Sequence, residues 1–199
     1  MGNSKDLLDV AAMLVGVKEG SPGHREILDI YSSLPVLPRG HKPTVEDDWC
    51  AIFVSAVAVR ASCTDIIPCE CSCTLMRNKA KEMGIWKDYT RSFVPPSGAV
   101  IMWDWDATKK NGPDHTGYVV EADHSQITVI DGNWSNMVCL RNVDYTKIHG
   151  YILPKYSDLV EESNQFIICP HCGEKIYFKG EVSMENYNEL LNNEMEELS

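Results

Sequence analysis

Trp49-Cys50-Ala51-Ile52-Phe53-Val54-Ser55-Ala56-Val57-Ala58-Val59 follows the acidic run Glu46-Asp47-Asp48. The stretch is apolar on nearly every side, so it reads as a buried helix. Asp47 or Asp48 is placed to cap it, which puts Cys50 in the first turn. Unpaired backbone N–H groups and the positive end of the helix dipole stabilise a thiolate there. The effect is on the order of 1 kcal/mol, enough to ionise roughly a fifth of the thiol at neutral pH. A full-time nucleophile also needs a base or an imidazolium beside it. Without one, Cys50 is a small buried hydrophobe.

The partner lies in Asp114-His115-Thr116-Gly117-Tyr118-Val119-Val120-Glu121, which leaves a polar Gly-Pro loop and reads as a strand. Ala122 to Ser125 turns the chain, and Gln126-Ile127-Thr128-Val129-Ile130-Asp131 returns it. Pairing Val119 with Ile127 sets Gly117 against Val129 and His115 against Asp131. Alternation then projects His115, Asp131 and Asn133 on one side, with Gly117 leaving space beside the imidazole. A slip of one residue would turn Asp131 away. In this arrangement Cys50 attacks a carbonyl carbon, and His115 takes and returns the proton. Asp131 or Asn133 orients the ring, and the Cys50 N–H is an oxyanion donor. The chemistry requires no cofactor. Trp49 and Trp134 flank these positions and are the expected substrate contacts, whereas Trp103 reads as packing.

Around this pair the chain reads as helices first and antiparallel strands after, an α+β order. Helices are expected over 5–17, 24–33 and 72–83, and strands over 99–103, 116–121, 126–131, 137–142 and 149–153. Cys69-Glu70-Cys71-Ser72-Cys73 reads as a loop or helix start with a structural role, and Cys63 and Cys139 as core. Asp104, Asp106, Asn111 and Asp114 make an oxygen-rich loop whose spacing is not that of an EF-hand, so it reads as solvated before it reads as a calcium site.

The 199 residues suit one core of moderate size and a short appendage, with boundaries at 1–156 and 157–199. Net charge is −11, and −8 of it falls after Tyr156. Without a basic patch, nucleic acid is excluded as a partner. No stretch has the length of a membrane span and no signal peptide is evident, so the chain is expected to start in the cytoplasm. Its eight cysteines therefore read as thiols or metal ligands. In the tail, Cys169-Pro170-His171-Cys172-Gly173 has the form of one knuckle of a zinc ribbon. Cys169 and Cys172 supply two of four ligands for a structural zinc. Cys71 and Cys73 or a second chain would complete it; uncompleted, the pair stays as free thiols. A helix from Ser183 to Leu198 carries an apolar stripe suited to docking on the main domain, self-association or a partner protein.

Trp49-Cys50-Ala51-Ile52-Phe53-Val54-Ser55 resembles the W-C-A-x-F-V-S signature of CHAP domains, the cysteine, histidine-dependent amidohydrolases and peptidases of bacterial cell walls. Asp114-His115-Thr116-Gly117 is similar to their D-H-V-G element and Asp131-Gly132-Asn133 to E-G-N, in family order over about residues 5–156. The resemblance implies a papain-like α+β fold, with Cys50 as nucleophile, His115 as base, and Asp131 and Asn133 as the orienting pair. Thr116 stands where the family has an apolar residue and Asp131 where it has glutamate. Pro96-Ser97-Gly98-Ala99 lacks an aspartate that often follows the glycine. The implied function is hydrolysis of an amide in peptidoglycan, as an N-acetylmuramoyl-L-alanine amidase or a cell-wall endopeptidase of phage endolysin type. A thiol hydrolase of a non-wall substrate and a binding module with this fold are the alternatives.

Overall fold

The computed structural model describes residues 2–105, 112–157, 166–168 and 175–177. The chain divides into two units, Met1–Tyr156 and Ser157–Ser199. In the first, four helices precede most of a six-stranded sheet. They are α1 (Ser4–Met13), α2 (Pro22–Ser32), α3 (Cys50–Arg60) and α4 (Cys73–Glu82), with a 3₁₀ turn at Pro38–Gly40. The strands are β1 (Trp86–Asp88), β2 (Val100–Trp103), β3 (His115–Ala122), β4 (Ile127–Trp134), β5 (Met137–Val143) and β6 (Ile148–Ile152), ordered β1-β6-β2-β3-β4-β5 and antiparallel throughout. This is the papain-like α+β arrangement expected.

Local chemistry starts the helices where they start. The Asn3 side chain accepts from the Lys5 and Asp6 N–H groups ahead of α1. Ser21 caps α2, and Pro22 at its first position needs no N–H partner. Helix α1 ends at Met13, short of the expected Val17, because the chain turns at Gly16, whose N–H is given to Val138. Strand β1 was not foreseen: three residues carry too little alternation to stand out, and pairing with β6 makes them a strand.

Helix α3 is the centre of the fold. Every residue from Cys50 to Ala58 is buried, between α1 and α2 on one side and the sheet on the other. Phe53 and Ile52 are among the largest fully enclosed side chains. Truncating a core phenylalanine costs about 3–5 kcal/mol, so Phe53 alone accounts for a large part of a domain's margin. Strand β4 meets α3 closely at Gly132, where a Cβ would lie 2.5 Å from the Phe53 Cβ. That approach seats the helix start against the site end of β4. The two faces of the sheet differ in what they pack. Val100, Met102, Tyr118 and Ile130 meet the helices, while Ile101, Trp103, Val119 and Val129 form a second cluster.

In the second unit, β7 (Phe166–Ile168) and β8 (Lys175–Tyr177) form an antiparallel ribbon with Ile167 opposite Ile176, where no strand was expected. The Cys169/Cys172 knuckle and the helix expected over 183–198 lie outside the described residues. Among the described residues no helix is long and apolar enough to cross a membrane.

Candidate active site

Cys50 is the first residue of α3, with Trp49 at the N-cap and no side-chain cap. The acidic cap expected from Asp47 or Asp48 is not made. Asp47 instead accepts from the Thr44 N–H at 2.6 Å, closing its own turn. The first-turn donors are thereby left for other acceptors. The Ala51 N–H helps to lower the Cys50 thiol, and the Cys50 N–H stands beside it at the positive end of the helix.

His115 opens β3. The register around it differs from the expected one by two residues. Tyr118 pairs with Ile130 and Val119 with Val129, and a bulge beyond Val119 carries the shift to three residues at the hairpin end, with Ala122 opposite Ile127. A two-residue shift keeps every side chain on its face. His115 and Asp131 therefore still share a side, but diagonally. Gly117, not His115, stands against Asp131: a Cβ on Gly117 would lie 2.5 Å from the Asp131 Cβ. The space expected beside the imidazole is thus taken by Asp131, whose carboxylate bonds His115 Nε2 at 2.8 Å. This leaves Nδ1 as the ring nitrogen for Cys50, whose thiol and the ring perturb each other's charge.

Asn133 does not join them. Its backbone is left-handed (φ 62°), and its amide donates to Asp48 at 3.4 Å. The β4–β5 register breaks between Asp131 and Trp134, so the simple alternation that placed Asn133 beside Asp131 fails there. Trp49 also departs from expectation. It is fully buried, packed at a tilt against His24 with ring centroids 4.5 Å apart, and bonded through Nε1 to Glu19 at 3.2 Å. It anchors the helix start and offers no face to a substrate. Trp134 is 37% exposed, 5.8 Å from both the His115 and Trp105 rings. Trp103 is core, as expected, stacked on Trp105.

Two residues of the site were missed. Arg141, on β5, grips the Asp131 carboxylate through Nη2 to Oδ2 at 2.6 Å and Nε to Oδ2 at 3.0 Å, sharing that oxygen with His115. Its guanidinium lies 3.7 Å from the centre of the Trp134 ring. Asp131 has no exposed surface, and two cations converge on its Oδ2 when His115 is charged. An arginine two residues after a cysteine on an expected strand carries no sequence signal by itself. The second is Cys73, the first residue of α4, whose sulfur is 3.5 Å from that of Cys50. Buried Ser55 holds the intervening loop to α3, donating to the Glu70 carbonyl at 2.7 Å and accepting the Glu70 N–H at 2.8 Å. Lys79 pairs with the buried Glu70 at 2.7 Å. These ties bring Cys73 to Cys50. Cys139, expected in the core, is only half-buried, because β5 is an edge strand.

The charges follow from these contacts. The Cys50 thiol is lowered to about 5, first by the hydrogen bond with Cys73, against the cost of burial, and then by the bond to His115 and its charge. Burial opposes the charge of His115. Bonds to Asp131 and Cys50, with the negative charges they carry, outweigh it and raise the ring to about 9. Cys73 is pushed well above its ordinary range by its bond to Cys50 and by burial. Of the two adjacent sulfurs, the His115 charge acts on Cys50 and not on Cys73, which favours the anion at Cys50. At neutral pH the site holds a thiolate–imidazolium pair.

Of the oxygen-rich loop, Asp114 accepts from the Trp105 N–H at 2.8 Å and Asp104 faces His149 at 3.6 Å. Asp106 and Asn111 lie outside the described residues, and among those described no three metal-ligating side chains converge. Residues 42–133 match the family model of the CHAP domain, a span that holds Cys50, Cys73, His115 and Asp131 but stops short of Arg141. No curated protein matches the chain.

Proposed function

The chain carries a CHAP domain, the module of cysteine, histidine-dependent amidohydrolases and peptidases, and from that premise we propose that it hydrolyses an amide bond of peptidoglycan. The observation that carries the reading is the thiolate–imidazolium pair, with Asp131 bonded at 2.8 Å to the far nitrogen of the ring. Cys50 attacks the amide carbonyl carbon as a thiolate, with no prior proton transfer needed. The oxyanion forms at the end of α3, where the Cys50 N–H donates to it. His115, already charged, gives its proton to the leaving amine, and the acyl-enzyme remains. The neutral ring then takes a proton from water, which attacks the thioester and frees Cys50. Asp131 holds the imidazole in one orientation and stabilises its charge in both halves.

Trp134 and Trp105 form a partly open aromatic wall beside His115. Such a wall suits the face of a sugar ring or the stem-peptide backbone of a wall fragment. Digestion of purified peptidoglycan, read by mass spectrometry, tests the proposal. An intact released stem peptide marks an N-acetylmuramoyl-L-alanine amidase; a new free N-terminus within the peptide marks an endopeptidase. Cys50→Ala abolishes both products. Failure to release any fragment, by protein whose Cys50 reacts normally with iodoacetamide, overturns the wall substrate and moves the chemistry to another amide.

A further inference from the structure

Cys50 and Cys73 make the one sulfur–sulfur contact among the described cysteines, at 3.5 Å. The sulfurs of Cys63, Cys69 and Cys139 meet backbone carbonyls, and that of Cys71 accepts from Arg39 at 2.9 Å. Both members of the close pair begin helices, α3 and α4, and both side chains are buried. Hydrolysis as described above uses Cys50 alone. A second thiol held against a nucleophile by the Ser55–Glu70 and Lys79–Glu70 ties is more than that reaction requires.

We propose that Cys50 and Cys73 are a redox pair, closed into a disulfide by peroxide and reopened by a dithiol, with Cys73 as the resolving thiol. In the first step the Cys50 thiolate attacks one oxygen of hydrogen peroxide. The O–O bond breaks, hydroxide leaves, and Cys50 becomes a sulfenic acid. In the second, the Cys73 sulfur attacks Cys50, and the sulfenic oxygen leaves with the Cys73 proton and its own as water. Two electrons pass from the sulfurs to the peroxide. The sulfurs close from 3.5 Å to about 2.05 Å, a movement of roughly 1.5 Å that side-chain rotation in two first turns supplies. Oxidation of Cys50 also removes the negative charge that holds the Cys73 proton, so the resolving thiol is released for attack at the moment it is needed. The disulfide protects Cys50 from over-oxidation and silences it as a nucleophile.

The test uses the full chain, a molar excess of hydrogen peroxide and peptide mapping without reductant. The expected result is a Cys50 peptide joined to the Cys73 peptide, with loss of two hydrogens and of iodoacetamide labelling at Cys50. Dithiothreitol separates the peptides and restores labelling. In Cys73→Ser, the same dose carries Cys50 to sulfinic acid, which dithiothreitol does not reverse. Wild-type Cys50 reaching sulfinic acid while Cys73 stays free, or joining Cys69 or Cys71, overturns the proposal. Should the variant fail to fold, the wild-type map decides alone. The readout is covalent mass rather than turnover, so a protein that forms this bond yet digests no wall keeps the redox pair and loses only the wall substrate.

Discussion

Replacing Gly117 by alanine adds one methyl group to β3 and nothing else. In an ordinary strand that change gains about 0.5–1 kcal/mol, because glycine loses more backbone freedom on folding. Here the new Cβ would lie 2.5 Å from the Asp131 Cβ, 2.9 Å from the Ile130 carbonyl oxygen and 3.1 Å from the Asp131 Cα. None of these is the end of a flexible side chain. Carbon–carbon contact relaxes near 3.5 Å, so β4 must retreat by about 1 Å at Asp131. The His115–Asp131 bond, 2.8 Å at rest, then stretches to roughly 3.8 Å and ceases to be a hydrogen bond. A misplacement of that size costs about 10²-fold in rate, and full loss of the orienting carboxylate about 10⁴-fold. Crowding costs about 1–3 kcal/mol, offsetting the strand preference and lowering Tm by a few degrees. The expected Gly117→Ala protein is folded, slightly less stable, and slower by 10²–10⁴ in kcat/KM on wall fragments. Thermal unfolding and fragment hydrolysis measured together check this. Activity within threefold of wild type, in a folded protein, would refute the reasoning and show that β4 absorbs the methyl group without moving its carboxylate.

Activity requires Cys50 deprotonated and His115 protonated, so kcat/KM should rise with pH through about 5 and fall through about 9; these limbs belong to the coupled pair, and a profile still climbing at pH 9 would contradict the charged resting state. Iodoacetamide labelling of Cys50 should show the same acid limb, and Cys73→Ala should move it to higher pH, since the bond from Cys73 is the largest cause of the lowering. Arg141→Met removes one partner of a buried ion pair that reaches 2.6 Å and should cost about 3 kcal/mol in chemical denaturation; a loss under 1 kcal/mol would mean that Asp131 finds another donor. Asp131→Asn should lower kcat by up to about 10⁴-fold through the wrong imidazole tautomer, whereas Asn133→Ala, which gives up only the 3.4 Å bond to Asp48, should change kcat less than tenfold; equal losses would return Asn133 to the catalytic set.

What the sequence made legible divides along the range of the interactions involved. The nucleophile helix was readable because eleven consecutive residues report one environment. The hairpin was readable because alternation and turn residues are local. Cys73 was not, because its position depends on Ser55 in α3 holding the Glu70 backbone at 2.7 and 2.8 Å, a tie across fifteen residues with no periodic trace. Arg141 was hidden for a similar reason. An arginine on an edge strand ordinarily faces water, and only the fully buried Asp131 two strand positions away draws it inward. Trp49 was misplaced by proximity in sequence: a residue beside a nucleophile at a helix start turns into the core as readily as toward the cleft, and His24 and Glu19 hold it there.

The register teaches a more specific lesson. Expected and observed pairings differ by two residues, yet the same histidine and carboxylate meet, because face membership depends only on parity. What parity cannot supply is distance. Directly opposed, the two side chains would need nothing between them. Placed diagonally, they need the position opposite Asp131 to be empty, and Gly117 meets that need, since a Cβ there would lie only 2.5 Å from the Asp131 Cβ. The aspartate, one methylene shorter than the glutamate of the family pattern, can therefore reach Nε2 at 2.8 Å while Arg141 holds the same carboxylate oxygen at 2.6 Å. Glycine, shortened carboxylate and arginine act as one set. A Gly117→Ala, Asp131→Glu double variant gains reach but not space, and so should recover none of the activity lost by Gly117→Ala alone; recovery would show that distance to the ring, rather than room for β4, is what Gly117 secures.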